Sequence, residues 1–114
     1  MNDDEKLVTL LASEVGSRLF LVHHVPGRLH IKFDPSLAEH PDREQAEKLF
    51  PSLHSFEIRK INRWTKSVVI WYNVRVVPPE LIDKLFVVSD PEDKENIVRQ
   101  IKDSISRKAG RKQE

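Results

Sequence analysis

The segment covering residues 23–33 constrains the fold more than any other part of the chain. Apolar and polar residues alternate strictly over its second half. The apolar positions are Leu29, Ile31 and Phe33, and the polar positions are Arg28, His30 and Lys32. Because side chains in a strand point alternately to the two faces of a sheet, this pattern predicts a half-buried strand. Pro26 cannot donate to a sheet ladder and Gly27 tolerates a positive φ, so the pair predicts a tight bend or a bulge where the chain enters the sheet.

The remaining sequence pattern predicts an α+β fold. The expected elements are a helix at 2–16, an apolar run at 19–25, a helix at 41–50, a hairpin of strands at 56–63 and 67–76, a helix at 80–85, a short strand at 86–88 and a helix at 90–108. The run at 19–25 joins the strand at 28–33 as one long bent strand or as two short ones. The order indicates a ferredoxin-like βαββαβ core with an antiparallel sheet, plus extra N-terminal and C-terminal helices.

We divide the chain accordingly into an N-terminal amphipathic helix (1–18), a ferredoxin-like domain (19–89) and a C-terminal helix with a basic tail (90–114). The chain has 114 residues, a formal net charge of +1 and no cysteine. Disulfides, thiolate metal sites and thiol catalysis are therefore excluded. Since no apolar run approaches the roughly 20 residues of a membrane span, we expect a cytoplasmic protein that has no membrane-spanning segment.

Two segments resemble a known family. Residues 24–31, His-Val-Pro-Gly-Arg-Leu-His-Ile, are similar to the Pro-Gly-Arg strand opening of the second type of heavy-metal-associated domain. Residues 66–73 resemble that family's later strand, and the similarity extends over about 19–85. Such domains occur alone or at the N-terminus of metal-transporting P-type ATPases. The resemblance implies a ferredoxin-like fold and a role in metal handling, but the Cys-x-x-Cys of better-known heavy-metal-associated domains is missing here.

The histidines are the candidate metal ligands, because imidazole binds zinc, copper, iron and nickel. We predict His23, His24 and His30 as ligands of a transition metal or of haem, with Asp34 and His40 as further candidates. In one regular strand His24 and His30 would share a face but lie roughly 20 Å apart. A bulge or a second chain would then be needed to complete one site. Ordinary hydrogen-bonded or solvated histidines are the alternative.

A second candidate site is the sheet face that the helices leave open. We expect Arg28, Lys32 and Arg59 on that face together with Trp71, as residues that contact a partner. The arginine guanidinium suits carboxylates and phosphates, although bracing of the Pro-Gly bend is an alternative role for Arg28. Basic residues around an aromatic also occur in RNA-recognition domains, but the strand at 67–74 lacks their basic-glycine-aromatic motif. Alternatively, a terminal helix or a second molecule packs on this face and covers it.

Enzyme signatures are missing from the sequence. It has no glycine-rich phosphate loop, no nucleophile elbow and no His-Glu-x-x-His helix. We therefore expect a non-catalytic accessory domain of metal homeostasis that binds a metal, docks on a transporter or storage compartment, or does both. The alternatives are a pure protein-interaction module that forms a dimer or binds another protein, and an RNA-binding domain. Nucleic acid is not expected as the partner.

Overall fold

A computed structural model describes residues 3–13, 16–39 and 42–112. It has an α+β architecture with four helices and a four-stranded antiparallel sheet, as predicted. The helices are α1 (Asp3–Leu11), α2 (Asp42–Leu49), α3 (Pro79–Val87) and α4 (Pro91–Lys112), and the strands are β1 (Leu19–Val25), β2 (Arg28–Phe33), β3 (Phe56–Asn62) and β4 (Ser67–Tyr72). Short 3-10 turns lie at Gly16–Arg18, Pro35–Glu39 and Phe50–Ser52.

Pro26 and Gly27 form the turn of a hairpin between β1 and β2. Val25 pairs with Arg28 across a two-residue loop, so the second of the two predicted arrangements, two short strands, is the one observed. Gly27 has a φ of 89°, and its carbonyl accepts a hydrogen bond of 3.0 Å from the backbone N–H of Tyr72. Proline followed by a glycine at positive φ is the residue pair that a type II turn requires.

The sheet has the strand order β1-β2-β4-β3, with every neighbouring pair antiparallel. Strands β2, β3 and β4 with helices α2 and α3 are compatible with a ferredoxin-like core. The predicted final strand at 86–88 is wrong, because Phe86 and Val87 complete helix α3. Its place beside β2 is taken by β1, which precedes the core in sequence, so the fourth strand is supplied from the N-terminal side of the chain.

One hydrophobic core lies between the sheet and the helices. Leu29 and Ile31 of β2 and Ile70 of β4 are buried in it, as the strand alternation predicted. Both terminal helices contribute to the same core, α1 through Leu7, Val8 and Leu11 and α4 through Ile97, Val98, Ile101 and Ile105. The two terminal helices therefore pack on the helix side of the sheet and leave its other face open. Within the described ranges, no helix has both the length and the apolar character needed to cross a membrane.

Helix α1 is held at its first turn by a buried carboxylate. Asp4 is 2% exposed, and its two carboxylate oxygens accept hydrogen bonds from the backbone N–H groups of His54 and Ser55, at 2.9 and 3.0 Å. Asp4 belongs to the acidic first turn, which suits the helix dipole, but it also links α1 to the segment that leads into β3. Burial of a charge is tolerated here because hydrogen bonds satisfy it.

Candidate binding face of the sheet

Strand register determines which side chains share the open face. Arg28 pairs with Trp71, His30 with Val69, and Lys32 with Ser67. Residues directly opposite in an antiparallel pair point to the same face, and the intervening Leu29 and Ile31 are buried on the helix side. The open face therefore carries Arg28, His30 and Lys32, in the arrangement that the alternation predicted.

The Pro26-Gly27 turn and a bulge in β1 together decide which side chains of β1 face the core. Leu21 pairs with Ile31 on the core side, the register shifts at Val22, and His23 then pairs with His30. An inserted residue reverses the alternation of every side chain beyond it. His23 and His30 consequently stand opposite each other on the open face, and directly opposed residues have Cβ atoms about 5 Å apart.

His24 faces the helices, so its predicted place on one face with Arg28 and His30 is wrong. It pairs with Leu29, and its side chain is 4% exposed. Nδ1 lies 2.5 Å from the carboxylate of Asp83 on α3, and Nε2 lies 2.5 Å from the hydroxyl of Tyr72 on β4. Because a carboxylate accepts, Nδ1–H donates to Asp83 and the Tyr72 hydroxyl donates to Nε2. Both ring nitrogens are therefore engaged in a hydrogen-bonded chain that joins β1, β4 and α3.

The Tyr72 hydroxyl is the buried end of this chain. Burial is the largest influence on its ionisation and raises the pKa of Tyr72 above its ordinary value of 10.0, with Asp83 and Glu80 acting in the same direction. The backbone hydrogen bond with Gly27 acts the other way. The phenol accordingly stays protonated and available as a donor to His24.

Trp71 lies on the interior strand β4, near its end and opposite Arg28, and is 42% exposed on the open face. The guanidinium of Arg59 lies 5.1 Å from the centre of its ring, a cation–π contact. Arg59 also forms a salt bridge of 2.9 Å with Glu57, which pairs with Trp71 across the β3–β4 ladder. Arg59 sits at a second register shift, between Ile58 and Lys60, and it meets the predicted aromatic neighbour there.

The charge of the open face is predominantly positive. Arg28, Lys32 and Lys60 are exposed, and none of them has an ion-pair partner among the described residues. Glu57 offsets the charge of Arg59. The face therefore presents unpaired cations together with an exposed tryptophan, which favours an anionic partner.

The other predicted ligands are not brought to this face. Asp34 follows the end of β2, where its carboxylate accepts a hydrogen bond of 2.9 Å from the Ser36 N–H, and that bond is the main cause that lowers the pKa of Asp34. His40 lies outside the described residues. Among the residues that the structure describes, no group of three or more histidine, aspartate or glutamate side chains is placed to hold a metal ion.

The sequence reasoning missed the partners of His24. Asp83 resembles a solvated residue on α3, and nothing in its local sequence indicates that it meets a residue 59 positions earlier. A usable signal was nevertheless present, because a two-residue Pro-Gly loop places His24 opposite Leu29 by counting outward from the turn. That count predicts a core-facing His24 and an outward His23.

Comparisons with known proteins give no relative: the chain matches no protein-family model, no curated protein and no solved structure. The resemblance to heavy-metal-associated domains therefore remains a prediction from the two sequence segments that carry it.

Proposed function

We propose that this chain is a non-catalytic binding domain whose open sheet face docks on an acidic protein surface, in keeping with an accessory role at a metal transporter or storage compartment. The observation that carries the proposal is the exposed Trp71, flanked by Arg28 and Arg59, on a face that neither terminal helix covers and that also presents Lys32 and Lys60. The link to metal handling rests on the sequence resemblance.

The anatomy of the face supports a protein partner. Protein interfaces combine an apolar centre, in which tryptophan and arginine supply much of the binding energy, with a polar rim. Trp71 and Val69 supply the centre here, and the cations lie around them. Unpaired arginine and lysine side chains suit carboxylates, and complementary charge also raises the rate of association.

An RNA partner is less well supported. Sheet surfaces that bind RNA stack two or three bases on separate aromatic side chains. Phe20 and Trp71 of this face lie on β1 and β4, which are not neighbouring strands, and Arg59 already covers part of the Trp71 ring. Val69 beside Trp71 favours packing against a protein surface over base stacking.

Tryptophan fluorescence tests this proposal directly. In a Trp64→Phe background Trp71 is the remaining tryptophan, and the protein is titrated with a peptide of alternating glutamate and leucine. We expect saturable quenching or enhancement that weakens about tenfold or more in an Arg28→Glu variant, since charge reversal turns an attraction into a repulsion. Arg107→Glu, an exposed arginine on α4, is the matched control and should leave the affinity unchanged.

Two results would contradict docking of an acidic protein surface. Equal weakening by both charge reversals would indicate a non-specific response to net charge. Tighter binding to single-stranded RNA than to the peptide, with a steep loss of affinity in salt, would instead indicate a nucleic-acid site.

The His23–His30 pair favours metal binding as a second candidate function. Two imidazoles opposite each other on neighbouring strands supply two ligands for zinc, copper or nickel. The positive charge of Arg28 and Lys32 nearby opposes cation binding, so we expect a weak site that water, or residues of a partner, would complete.

Titration with zinc and copper separates this pair from the other histidines. We expect His30→Ala to abolish binding, whereas His24→Phe and His54→Ala retain it, because His24 has both nitrogens engaged and His54 is exposed at a distant loop. Loss of metal binding in His54→Ala, or retention of metal binding in His30→Ala, would exclude the His23–His30 pair as the metal site.

Self-association is also a candidate, through the edge of the sheet formed by β1. Phe20, Leu21 and Val22 of this strand are exposed, and no residue from Leu19 to Val25 is an acid, lysine or arginine. Exposed apolar edge strands pair readily with other strands, whereas charged ones do not. Light scattering tests it: a dimer that Val22→Lys converts to a monomer would support pairing through β1, and a monomeric wild type would exclude it.

A further inference from the structure

A cavity of about 330 Å³ lies on the helix side of the sheet, away from the open face. It is bounded by α1, by the ends of the strands and by the 3-10 turn that follows α2. Its lining is mainly apolar and includes Leu10, Phe33, Phe50, Ile58, Ile61 and Val68. Its volume falls within the range of roughly 300–1,000 Å³ that small-molecule sites occupy.

Two cations stand among the lining residues of this cavity. Arg63 and Lys66 belong to the β3–β4 turn, and both are exposed. Neither has an ion-pair partner among the described residues. Glu47, the lining residue of opposite charge, already has an interaction partner. The cavity therefore combines an apolar interior with positive charge at the turn that borders it.

The backbone at Lys66 closes the turn that borders the cavity. Its φ is +55°, in the left-handed region that glycine and asparagine occupy at lower energy. Its carbonyl accepts a hydrogen bond of 2.8 Å from the Phe33 N–H. The side-chain oxygen of Asn62 accepts hydrogen bonds from the backbone N–H groups of Trp64 and Thr65 in the same turn. A left-handed residue is a usual way to close a hairpin loop, and these hydrogen bonds hold Lys66 in a fixed position beside the cavity.

We propose that this cavity binds a free medium-chain fatty acid, with the alkyl chain inside and the carboxylate at Arg63 and Lys66. If a methylene group takes about the volume of one water molecule in the liquid, roughly 30 Å³, the cavity holds a chain of about ten carbons. Apolar transfer drives insertion of the chain, and the two cations select an anionic head group.

Calorimetric titration of the full chain with decanoate, below the concentration at which it forms micelles, tests the proposal. We expect saturable binding at one site, at least about tenfold tighter than binding of decyltrimethylammonium, which has the same chain and the opposite charge. Lys66→Gln and Arg63→Gln should each weaken decanoate several-fold. Lys84→Gln, an exposed lysine on α3 away from the cavity, is the matched control and should leave the affinity unchanged.

The Lys66→Gly variant distinguishes a role of the Lys66 side chain in ligand binding from a role in the turn alone. Glycine relieves the positive φ, so we expect the ligand-free variant to unfold at a higher temperature than wild type while binding decanoate more weakly. Leu10→Trp places a larger side chain into the cavity from a partly exposed position on α1 and should abolish binding while the circular dichroism stays native.

Several results would overturn the proposal. They are the absence of heat with decanoate, equal affinity for the cationic amphiphile, undiminished affinity in both glutamine variants, and unchanged affinity in a folded Leu10→Trp variant. Binding to vesicles of an anionic phospholipid without binding to monomeric decanoate would also overturn it, because it would identify a membrane-surface contact in place of a cavity for a free acid.

Discussion

Replacement of His24 by phenylalanine tests the hydrogen-bonded chain that joins β1, β4 and α3. The ring volume is nearly conserved, so the loss comes from the two hydrogen bonds. The Tyr72 hydroxyl is left buried without its partner, which costs about 1–3 kcal/mol. The Asp83 side chain is 59% exposed and regains water, so its bond contributes less than about 1 kcal/mol. We expect a total loss of about 2–3 kcal/mol in the free energy of unfolding.

Denaturant unfolding followed by circular dichroism measures this loss, and thermal unfolding should show a midpoint lower by roughly 10 °C. The double variant His24→Phe/Tyr72→Phe should recover at least half of the lost stability, because both buried polar groups are then removed together. A loss below about 0.5 kcal/mol in the single variant, or a double variant whose losses simply add, would refute the account of His24 as a buried hydrogen-bonded residue.

Three further measurements test other parts of the structure. Asp4→Ala should lower the free energy of unfolding by about 2–4 kcal/mol, because two backbone N–H groups lose a charged acceptor; a loss below about 1 kcal/mol in denaturant unfolding would contradict the assigned role. Gly27→Ala should cost about 1–2 kcal/mol through its φ of 89°, and Gly27→Asn should cost less; equal losses would contradict this explanation. Tyr72 is the chain's one tyrosine, and its phenolate should form above pH 10.0. The free energy of unfolding should fall as pH rises beyond that value, because the folded state retains a proton that the unfolded state has released. A phenolate absorbance titration with an ordinary midpoint would contradict burial of the hydroxyl.

The strand alternation of residues 28–33 was sufficient to predict much of the binding face. Leu29 and Ile31 are buried, and Arg28 and Lys32 are exposed, because a period of two leaves a strand with one buried side few alternatives. Trp71 was expected on the open face, and its pairing with Arg28 and its exposure place it there.

Alternation carried back from β2 puts His24 on the open face, but the two-residue turn pairs Val25 with Arg28 and so reverses the alternation. The bulge at Val22 then sets the orientation of the residues before it, and a bulge depends on how a strand pairs with its neighbour, which a local pattern does not contain. The predicted strand at 86–88 failed for a related reason. Phe86 and Val88 suit a strand locally, but β1 already fills that edge of the sheet, so Phe86 continues the apolar face of α3.

The two tryptophans give the most direct test of the central claim that the open sheet face is the binding face. Trp71 belongs to this face, opposite Arg28, whereas Trp64 is 97% exposed in the β3–β4 turn. In calorimetric titration with the acidic peptide, we expect Trp71→Ala to lower the affinity about tenfold or more, as removal of a central aromatic anchor does at protein interfaces, and Trp64→Ala to leave it unchanged. Equal affinities of the two variants, or a loss confined to Trp64→Ala, would contradict the claim.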